Sequence, residues 1–265
     1  MTSKVTKAFG PRLKWWREHR GLSQLALAGS AEISQRHLSF LESGRAEPSR
    51  EMVLRLCAVL DVPLRQQNAL MLAAGFAPVW RESHLGDPAL AQVDGALDFM
   101  LAQQEPYPAF VVDRRWNLLR ANAGAGHLVV FLTGAAPSGP VNLADALISP
   151  EGLRPFIENW EEVAVHFLRS VHADAVADGT EETAGLLRRL TAYPGVPPLS
   201  RVAPLEIHAP VLGIHFRKAD TALRVFTTIA TLGTPQDVTL QEIRIECFFP
   251  SDAASAALFR QWAGS

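Results

Sequence analysis

Apolar residues recur at helical spacing in five short segments of the first 79 residues. Residues that start or stop helices bound these segments: Pro11 suits a first helical turn, Ser23 and Ser34 are placed as N-caps, and Gly21 as a stop. The segments are PRLKWWREHRG, LSQLALAGSAE, SQRHLSFLESGR, PSREMVLRLCAVLDV and PLRQQNALMLAAGFAP. Short amphipathic helices joined by tight turns predict a compact all-α domain over residues 1–79.

The third of these helices has an apolar face and a polar face. Leu38 and Leu41 lie three residues apart and are expected to face the core of the domain. Gln35, Arg36 and His37 can all reach outward from the other side. This pattern alone leaves open whether the polar face meets water or the base edges of DNA.

The helical pattern stops at FAPVWRESHLGDP, where two prolines and a glycine mark a domain boundary. A helix is expected to follow from about Ala89 to Gln103. Its apolar stripe consists of Leu90, Val93, Leu97 and Met100. The stripe can pack against a second copy of the chain or against the chain's own second domain. We therefore predict that residues 80–104 form a linker and a connector helix.

Residues 105–265 have the pattern of a mixed domain. The segment YPAFVVDRRWNLLRAN alternates around a turn near Asp113, which predicts two strands. A long helix is expected from about Leu153 to Ala177, and three more strands at about 209–217, 223–231 and 240–249. Helices between the second and third strands predict an α+β domain with one antiparallel sheet, whose inner face the helices cover.

Charge is distributed unequally along the chain. Residues 1–79 contain 11 Lys and Arg and six Asp and Glu, a net charge of +5, whereas the remainder contains 14 and 21, a net charge of −7. A basic N-terminal unit is suited to attract phosphates. No apolar run approaches the roughly 18–20 residues that span a bilayer, and no signal-peptide pattern begins the chain. We expect a soluble, cytoplasmic protein without a membrane partner.

The run from Gln24 through LSFLESGRAEPS resembles the xenobiotic-response-element class of lambda-repressor-like helix-turn-helix domains. That class opens its second helix with Ser-Gln and closes its third with an apolar residue followed by Glu-x-Gly, and both features are present here. The resemblance implies that the partner is double-stranded DNA, read in the major groove by the third helix. The residues expected at the DNA are Gln24, Ser34, Gln35, Arg36, His37, Ser39, Arg45 and Arg50.

Within this interface, different side chains are expected to have different roles. Gln24 and Gln35 lie 11 residues apart, each near the start of its helix, so that one can reach a phosphate and the other can pair with adenine. Arg45 and Arg50 are expected to contact phosphates rather than bases.

Other positions of this domain are expected to act inside it or at its edge. Glu42 is interpreted as structural, capping or pairing within the domain. Lys14 and Arg17 can be phosphate contacts or part of a solvated face. The turn departs from the class, because Glu32 stands where glycine is common. A left-handed conformation of Glu32 would cost on the order of 1 kcal/mol.

Three separated segments resemble the MmyB-like family of bacterial transcription regulators. They are LRQQNALMLAAGFAP, EPYPAFVVDRRWNLLRAN and VFTTIATLGTPQDVTLQEIRIECFFPSD. The resemblance implies a C-terminal PAS-like domain that binds a small, elongated apolar ligand, such as a fatty acid, to modulate DNA binding. Because one helix-turn-helix reads only a short half-site, we also expect a homodimer.

A ligand site is expected between the sheet and the long helix of this second domain. Five apolar side chains from separate elements converge there: Phe110, Val112, Trp116, Phe167 and Phe226. They could line a cavity or simply fill the core. If the ligand is a fatty acid, its carboxylate needs a cation or a hydrogen-bond donor, for which Arg120 and His166 are the candidates.

Catalysis and cofactor binding are the alternatives. His166, His172, His208 and His215 could serve as bases or ligands, but no HExxH, Cys pair, phosphate loop or GxSxG is present. Cys57 and Cys247 are far apart, as expected for packing residues. We therefore expect no enzyme, no metal and no cofactor. A haem- or flavin-bearing redox or gas sensor remains the alternative, because one buried histidine would suffice to ligate haem.

Overall fold

The computed structural model describes residues 6–200 and 211–264, apart from the side chains of residues 6–8. The chain divides into two compact units, Met1–Glu82 with Pro235–Gln241, and Ser83–Thr234 with Glu242–Ser265. The first is helical and the second combines helices with a sheet. The predicted multidomain fold class, all-α followed by α+β, is therefore confirmed.

The N-terminal part of the first unit contains five helices within the described residues. They are α1 Thr6–His19, α2 Gln24–Ser30, α3 Gln35–Glu42, α4 Arg50–Val59 and α5 Leu64–Ala73. Three of them start with a serine oxygen that accepts a hydrogen bond from the backbone N–H three residues later. Ser23 and Ser34 are the predicted N-caps, and Ser49 has the same role at the start of α4. The apolar faces of all five helices meet in one core.

Helix α1 begins before Pro11, which lies within the helix and not in its first turn. The prediction was wrong because the buried face extends further back, to Phe9, which is 2% exposed. Next to it, Gly10 lies against the end of α3: a Cβ at Gly10 would be 2.4 Å from the carbonyl oxygen of Glu42. The absence of a side chain at Gly10 therefore permits the close packing of α1 on α3.

The helix-turn-helix contains the strained residue that the sequence indicates. Glu32 adopts a left-handed conformation with φ of 54°. The tight connection between α2 and α3 therefore forms without the glycine that is common there.

The first unit includes a segment from far along the chain, Pro235–Gln241. The backbone N–H of Val238, which is 1% exposed, donates to the carbonyl oxygen of Arg81 at 2.8 Å. The side-chain oxygen of Gln241 accepts from the backbone N–H of Leu64 at 2.7 Å. Because Pro63 before α5 gives no side-chain cap, Gln241 caps this helix from a distance of 177 residues. A short helix, α11 Val238–Glu242, begins within this segment.

The second unit contains a five-stranded sheet with helices. Its elements are α6 Ala91–Gln104, β1 Ala109–Val112, β2 Leu118–Ala121, α7 Ala123–Thr133, α8 Leu143–Ile148, α9 Trp160–Asp178, α10 Glu181–Thr191, β3 Gly213–Lys218, β4 Thr221–Ala230, β5 Arg244–Pro250 and α12 Ala253–Ala263. The strand order is β2-β1-β5-β4-β3, and all neighbouring strands are antiparallel. The single antiparallel sheet is thus as predicted.

Several boundaries differ from those predicted. Helix α9 begins at Trp160 and not near Leu153, because a 3-10 turn at Arg154–Phe156 and Asn159 precede it. Strand β3 begins at Gly213, so residues 211 and 212 of the predicted strand lie before it, whereas residues 209 and 210, together with His208, lie outside the described residues. The pattern also missed α10 and α12.

Helix α6 packs on its own unit with part of its apolar surface. Leu97 is fully buried and Leu101 is 6% exposed, whereas Phe99 and Met100 are 64% and 38% exposed. The buried residues lie against the sheet domain, as one of the two sequence interpretations predicts. In the part of the chain that the structure describes, no helix is both long and apolar enough to cross a membrane.

Candidate functional site

The outer face of α3 presents the polar side chains that the sequence assigns to DNA. Leu38 and Leu41 are completely buried in the helical core. On the same helix, Gln35 and Arg36 are exposed and His37 is partly exposed. The helix therefore offers hydrogen-bonding groups on a surface whose opposite side is fixed by packing.

An aromatic ring at the end of this surface contacts two arginines. The guanidinium carbons of Arg36 and Arg45 lie 5.4 and 5.9 Å from the centroid of the Phe40 ring. Arg45 and Arg50 are both exposed where α3 ends and α4 begins, as are the acids Glu47 and Glu51. The guanidinium groups of Arg45 and Arg50 next to α3 are suited to contact phosphates.

The remaining candidates at the interface differ in their surroundings. Ser34 uses its hydroxyl oxygen as the N-cap of α3, accepting from the N–H of His37 at 3.1 Å. Ser39 is partly exposed on α3. Gln24 is partly buried, and its Nε2 donates to Oε2 of Glu42 at 2.8 Å. Its amide oxygen is the part of the side chain still available to accept a bond.

A buried ion pair fixes α3 to α1. Nε of Arg17 donates to Oε1 of Glu42 at 2.6 Å and Nη2 to Oε2 at 3.1 Å, and the two side chains are 9% and 4% exposed. The structural interpretation of Glu42 is confirmed. Both interpretations of Arg17 were wrong, since this side chain is buried and paired with an acid 25 residues away. Lys14 is exposed and lies 3.8 Å from Glu18.

The second unit contains a cavity of about 430 Å³ between the sheet and its helices. Most of its wall is apolar, and the residues come from β1, β3, β5, α7, α8, α9 and the loop after α7. The aromatic side chains in the wall are Phe110, Trp116, Phe167, Phe216 and Phe248. A cavity of this size and character can hold a small apolar molecule.

The aromatic and aliphatic candidates for ligand binding fall into three groups. Phe110, Trp116 and Phe167 line the cavity, and the rings of the last two meet at 4.7 Å. Val112 is completely buried in the surrounding core and does not belong to the cavity wall. Phe226 stacks on its partner in the ladder, Phe249, with ring centroids 5.4 Å apart. Alternation along the strands places that pair on the opposite face of the sheet from Phe248.

The two candidates for a carboxylate partner lie outside the cavity wall. Arg120 forms ion pairs with Asp94 and Asp98 on α6. His166 is partly exposed on α9, next to Phe167, but does not line the cavity. The structure therefore brings together the aromatic part of the predicted ligand site but not its cationic part.

Trp116 is held in the cavity wall by a strained turn. Its φ of 65° is rare for a bulky residue and costs on the order of 1–3 kcal/mol. The carboxylate of Asp113 braces the turn by accepting from the backbone N–H groups of Arg115 at 2.8 Å and Asn117 at 2.9 Å. The indole N–H of Trp116 is buried and has no acceptor among the described residues. Strain of this kind is typical of positions that are kept for binding.

Glu246 is the acidic residue of the cavity wall, and sequence reasoning missed it, as it missed Phe216 and Phe248. It lies in β5 on the same face as Phe248, and its exposed part is in the cavity wall. Burial raises the pKa of its carboxyl to about 7, although interaction with the Thr227 side chain lowers it. The period-two alternation of RIECFFP puts this acid on the same face as Phe248, but the pattern does not say which face of the strand is the inner one.

The wall of the cavity includes no Lys, Arg or His among the described residues. It also has no Cys, Met or Tyr, so that this cavity supplies none of the side chains that ligate haem iron. Over the described ranges, no cluster of three or more His, Cys, Asp or Glu could hold a metal ion. The wall of the cavity thus offers apolar contact, the hydroxyl groups of Thr133 and Ser138, and one carboxyl group.

Several bacterial regulators are similar to part of the chain. A transcriptional regulator, ClgR of Mycobacterium tuberculosis, is 32% identical over 75 residues, which is 28% of this chain and 64% of that protein. This chain therefore spans less than two thirds of that relative's length. The crystal structure of the clp gene regulator ClgR from C. glutamicum is 31% identical, with a TM-score of 0.25, over 28% of this chain and 94% of that one. The restriction-modification controller protein C.AhdI from Aeromonas hydrophila is 31% identical, with a TM-score of 0.23, over 24% and 97%.

Two family descriptions account for most of the sequence. Residues 13–67 match the helix-turn-helix family, a range that includes α2, α3 and α4. Residues 93–261 match the MmyB-like transcription regulator ligand binding domain, which covers the sheet and the cavity. The second match alone spans more than half of the chain, and with the first it confirms the resemblance seen in the sequence. The chain therefore belongs to the MmyB-like transcription regulators, with a helix-turn-helix followed by the ligand-binding domain of that family.

Proposed function

We propose that this regulator changes its affinity for DNA when a small apolar ligand occupies the cavity of its second unit. The observation that supports this most is the cavity of about 430 Å³, whose wall is formed by aromatic and aliphatic side chains of the sheet and helices. An elongated apolar molecule suits such a wall, and a fatty acid is the ligand that the family resemblance implies. Because its target is DNA, we place this bacterial regulator in the cytoplasm.

We propose that α3 reads the operator from the major groove. Gln35 and Arg36 lie at the exposed N-terminal end of α3 and are the base-reading candidates, with His37 and Ser39 beside them. Gln24, Ser34, Arg45 and Arg50 surround this helix end and the next helix start. Their proposed role is to position the domain on phosphates, which carries no sequence information.

The DNA-binding proposal is tested by comparing operator and random duplexes. Gln35→Ala or Arg36→Ala should weaken operator binding by about 1–3 kcal/mol while changing the affinity for random DNA less. Arg45→Ala should weaken both and reduce the salt dependence of binding. Arg188→Ala is the matched control, because it removes an exposed positive charge from the second unit. Equal losses on both duplexes for all three interface variants would contradict the assignment of base readers.

The ligand proposal is tested at the cavity wall with two phenylalanines of one unit. Phe167 lines the cavity, whereas Phe226 stacks on Phe249 on the opposite face of the sheet. Fatty acids of several chain lengths are titrated against wild type, Phe167→Ala and Phe226→Ala, and melting temperature and operator affinity are measured. Phe167→Ala should remove the ligand-dependent rise in melting temperature, and Phe226→Ala should retain it. A ligand-dependent rise in Phe167→Ala equal to that of wild type would contradict the assignment of this wall.

We further propose that two copies bind one operator as a homodimer. A single helix-turn-helix reads a short half-site, and two copies spaced by about one DNA turn reach useful specificity. Helix α6 offers the exposed Phe99 and Met100 for such a contact. Light scattering should give twice the monomer mass at micromolar concentration, and Phe99→Ser should lower it. A monomer mass both with and without operator DNA would refute the dimer.

A ligand alters DNA binding only if it has different affinities for two arrangements of the protein. We propose that the segment Pro235–Gln241 transmits this difference. It belongs to the first unit, and the chain then continues directly into β5, which supplies Glu246 and Phe248 to the cavity wall. Only four residues separate Gln241 from Glu246 along the chain. A shift of β5 on ligand binding would therefore act on the cap of α5.

A further inference from the structure

We propose that the cavity selects apolar molecules that carry a protonated amine, with the Glu246 carboxylate as the partner of the ammonium group. This inference rests on the proposed function, because it names the class of ligand that the same cavity takes. The proposed ligand differs from a fatty acid in the charge of its polar end, which is positive instead of negative.

The sheet places Glu246 among apolar neighbours. In the ladder Glu246 is opposite Phe110 on β1 and Ile229 on β4, and Phe248 follows on the same face of β5. Phe110 and Phe248 meet edge to face at 5.6 Å, and both line the cavity. The carboxyl group is therefore held on the inner face of two central strand pairs, where a bound molecule would contact it.

The charged groups around Glu246 do not neutralise it. On its own strand Arg244 points to the same face, but its Nη1 donates to Oδ2 of Asp174 on α9 at 2.6 Å. From β4, Thr227 offers a hydroxyl group. The helices and the loop over the cavity contribute no Lys, Arg or His to the described wall. An ionised Glu246 thus faces the cavity without a cationic partner among the lining residues.

The chemistry of an unpaired buried carboxylate favours a cationic ligand. Burial disfavours the charged form, which is why the pKa of this carboxyl is raised to about 7. An ammonium group supplies both an opposite charge and three hydrogen-bond donors, so it stabilises the ionised acid. A fatty-acid carboxylate would bring a second negative charge to the same place, and one of the two acids would have to bind a proton. An alcohol adds no charge and is the neutral reference.

The test uses three ligands that share a ten-carbon chain: decylamine, decanol and decanoate. Each is titrated below its micelle-forming concentration at pH 8 into the full chain, and the dissociation constant is measured by calorimetry. Wild type should bind decylamine about tenfold or more tightly than decanoate, since each tenfold corresponds to about 1.4 kcal/mol. Glu246→Gln should lose this preference while its affinity for decanol stays within about threefold of wild type, a difference of under 1 kcal/mol.

The controls separate the inference from the proposed function. Retained decanol binding shows that the cavity of Glu246→Gln is intact, and Glu181→Gln removes an exposed acid of the same unit, which is 81% exposed, without changing the preference. Decanoate binding as tightly as decylamine, or an unchanged amine preference in Glu246→Gln, overturns the amine assignment and leaves an apolar ligand in place. If none of the three binds wild type, both the amine assignment and the apolar ligand are refuted.

Discussion

Breaking the ion pair between Arg17 and Glu42 should lower the stability of the first unit by an amount that the structure allows us to estimate. Glu42→Ala would leave the Arg17 guanidinium buried and would also remove the acceptor of the Gln24 amide. Breaking a buried pair from one side costs about 3–5 kcal/mol. We expect the lower end, about 3 kcal/mol, because Nη1 of Arg17 keeps the carbonyl oxygen of Leu22 as an acceptor at 2.9 Å.

Hydrogen exchange of the α3 amides measures this loss within the first unit alone. At about 1.4 kcal/mol for each factor of ten, a loss of about 3 kcal/mol speeds the exchange of the most protected amides, such as those of Leu38 and Leu41, by about 100-fold. Arg17→Met with Glu42→Leu should restore much of the protection, since an apolar pair replaces both charges. Lys14→Ala is the control, because the Lys14–Glu18 pair is 56% exposed at both ends. Exchange within threefold of wild type in Glu42→Ala would refute the reasoning.

Three further expectations concern other parts of the chain. Gly10→Ala would place a Cβ 2.4 Å from the Glu42 carbonyl oxygen, so operator affinity and the melting temperature of the first unit should both fall, whereas Gly29→Ala, with open space around it in α2, should lower neither. The pKa of the Glu246 carboxyl is raised from 4.5 to about 7, so between these pH values the folded state holds a proton that the unfolded chain releases. The free energy of unfolding should therefore fall by about 3 kcal/mol as the pH rises from 4.5 through 7, and urea titrations of Glu246→Gln should lack this loss. Gln241→Ala removes the acceptor of the Leu64 N–H, which should speed exchange at the start of α5 by about fivefold if the cap is worth about 1 kcal/mol, and unchanged exchange would contradict the cap.

Local chemistry explains which features the sequence could predict. The starts of α2, α3 and α4 follow from Ser23, Ser34 and Ser49, since an N-cap acts over three residues of the same chain segment. The single antiparallel sheet follows from strands with clear alternation. By contrast, the partner of Arg17 lies 25 residues away and the cap of Leu64 lies 177 residues away, so neither leaves a local pattern.

For the candidate ligand site, the sequence predicts the strands but not which of their residues point inward. Leu223 and Val225 are completely buried, which places Phe226 on the other face of β4. In LRVFTT the apolar residues Val225 and Phe226 are adjacent, so the pattern alone does not say which of the two points inward. The inward position of Glu246 was not predicted for a related reason. An acidic residue at an inward position interrupts the apolar alternation by which a buried face is recognised in a sequence.

The path of the backbone at Pro235–Gln241 has a consequence for the preparation of isolated domains of this protein. The chain passes from one unit to the other after Glu82, after Thr234 and again after Gln241, so the DNA-binding unit is discontinuous in sequence. A fragment that ends at Glu82 would lack the buried Val238 and Leu240 as well as the Gln241 cap. A chimaera that exchanges helix-turn-helix domains between regulators of this kind would need to carry the distant segment along with the N-terminal one. Supplying 235–241 as a separate peptide, or grafting it after Glu82 through a flexible linker, is the matching design for an isolated DNA-binding module.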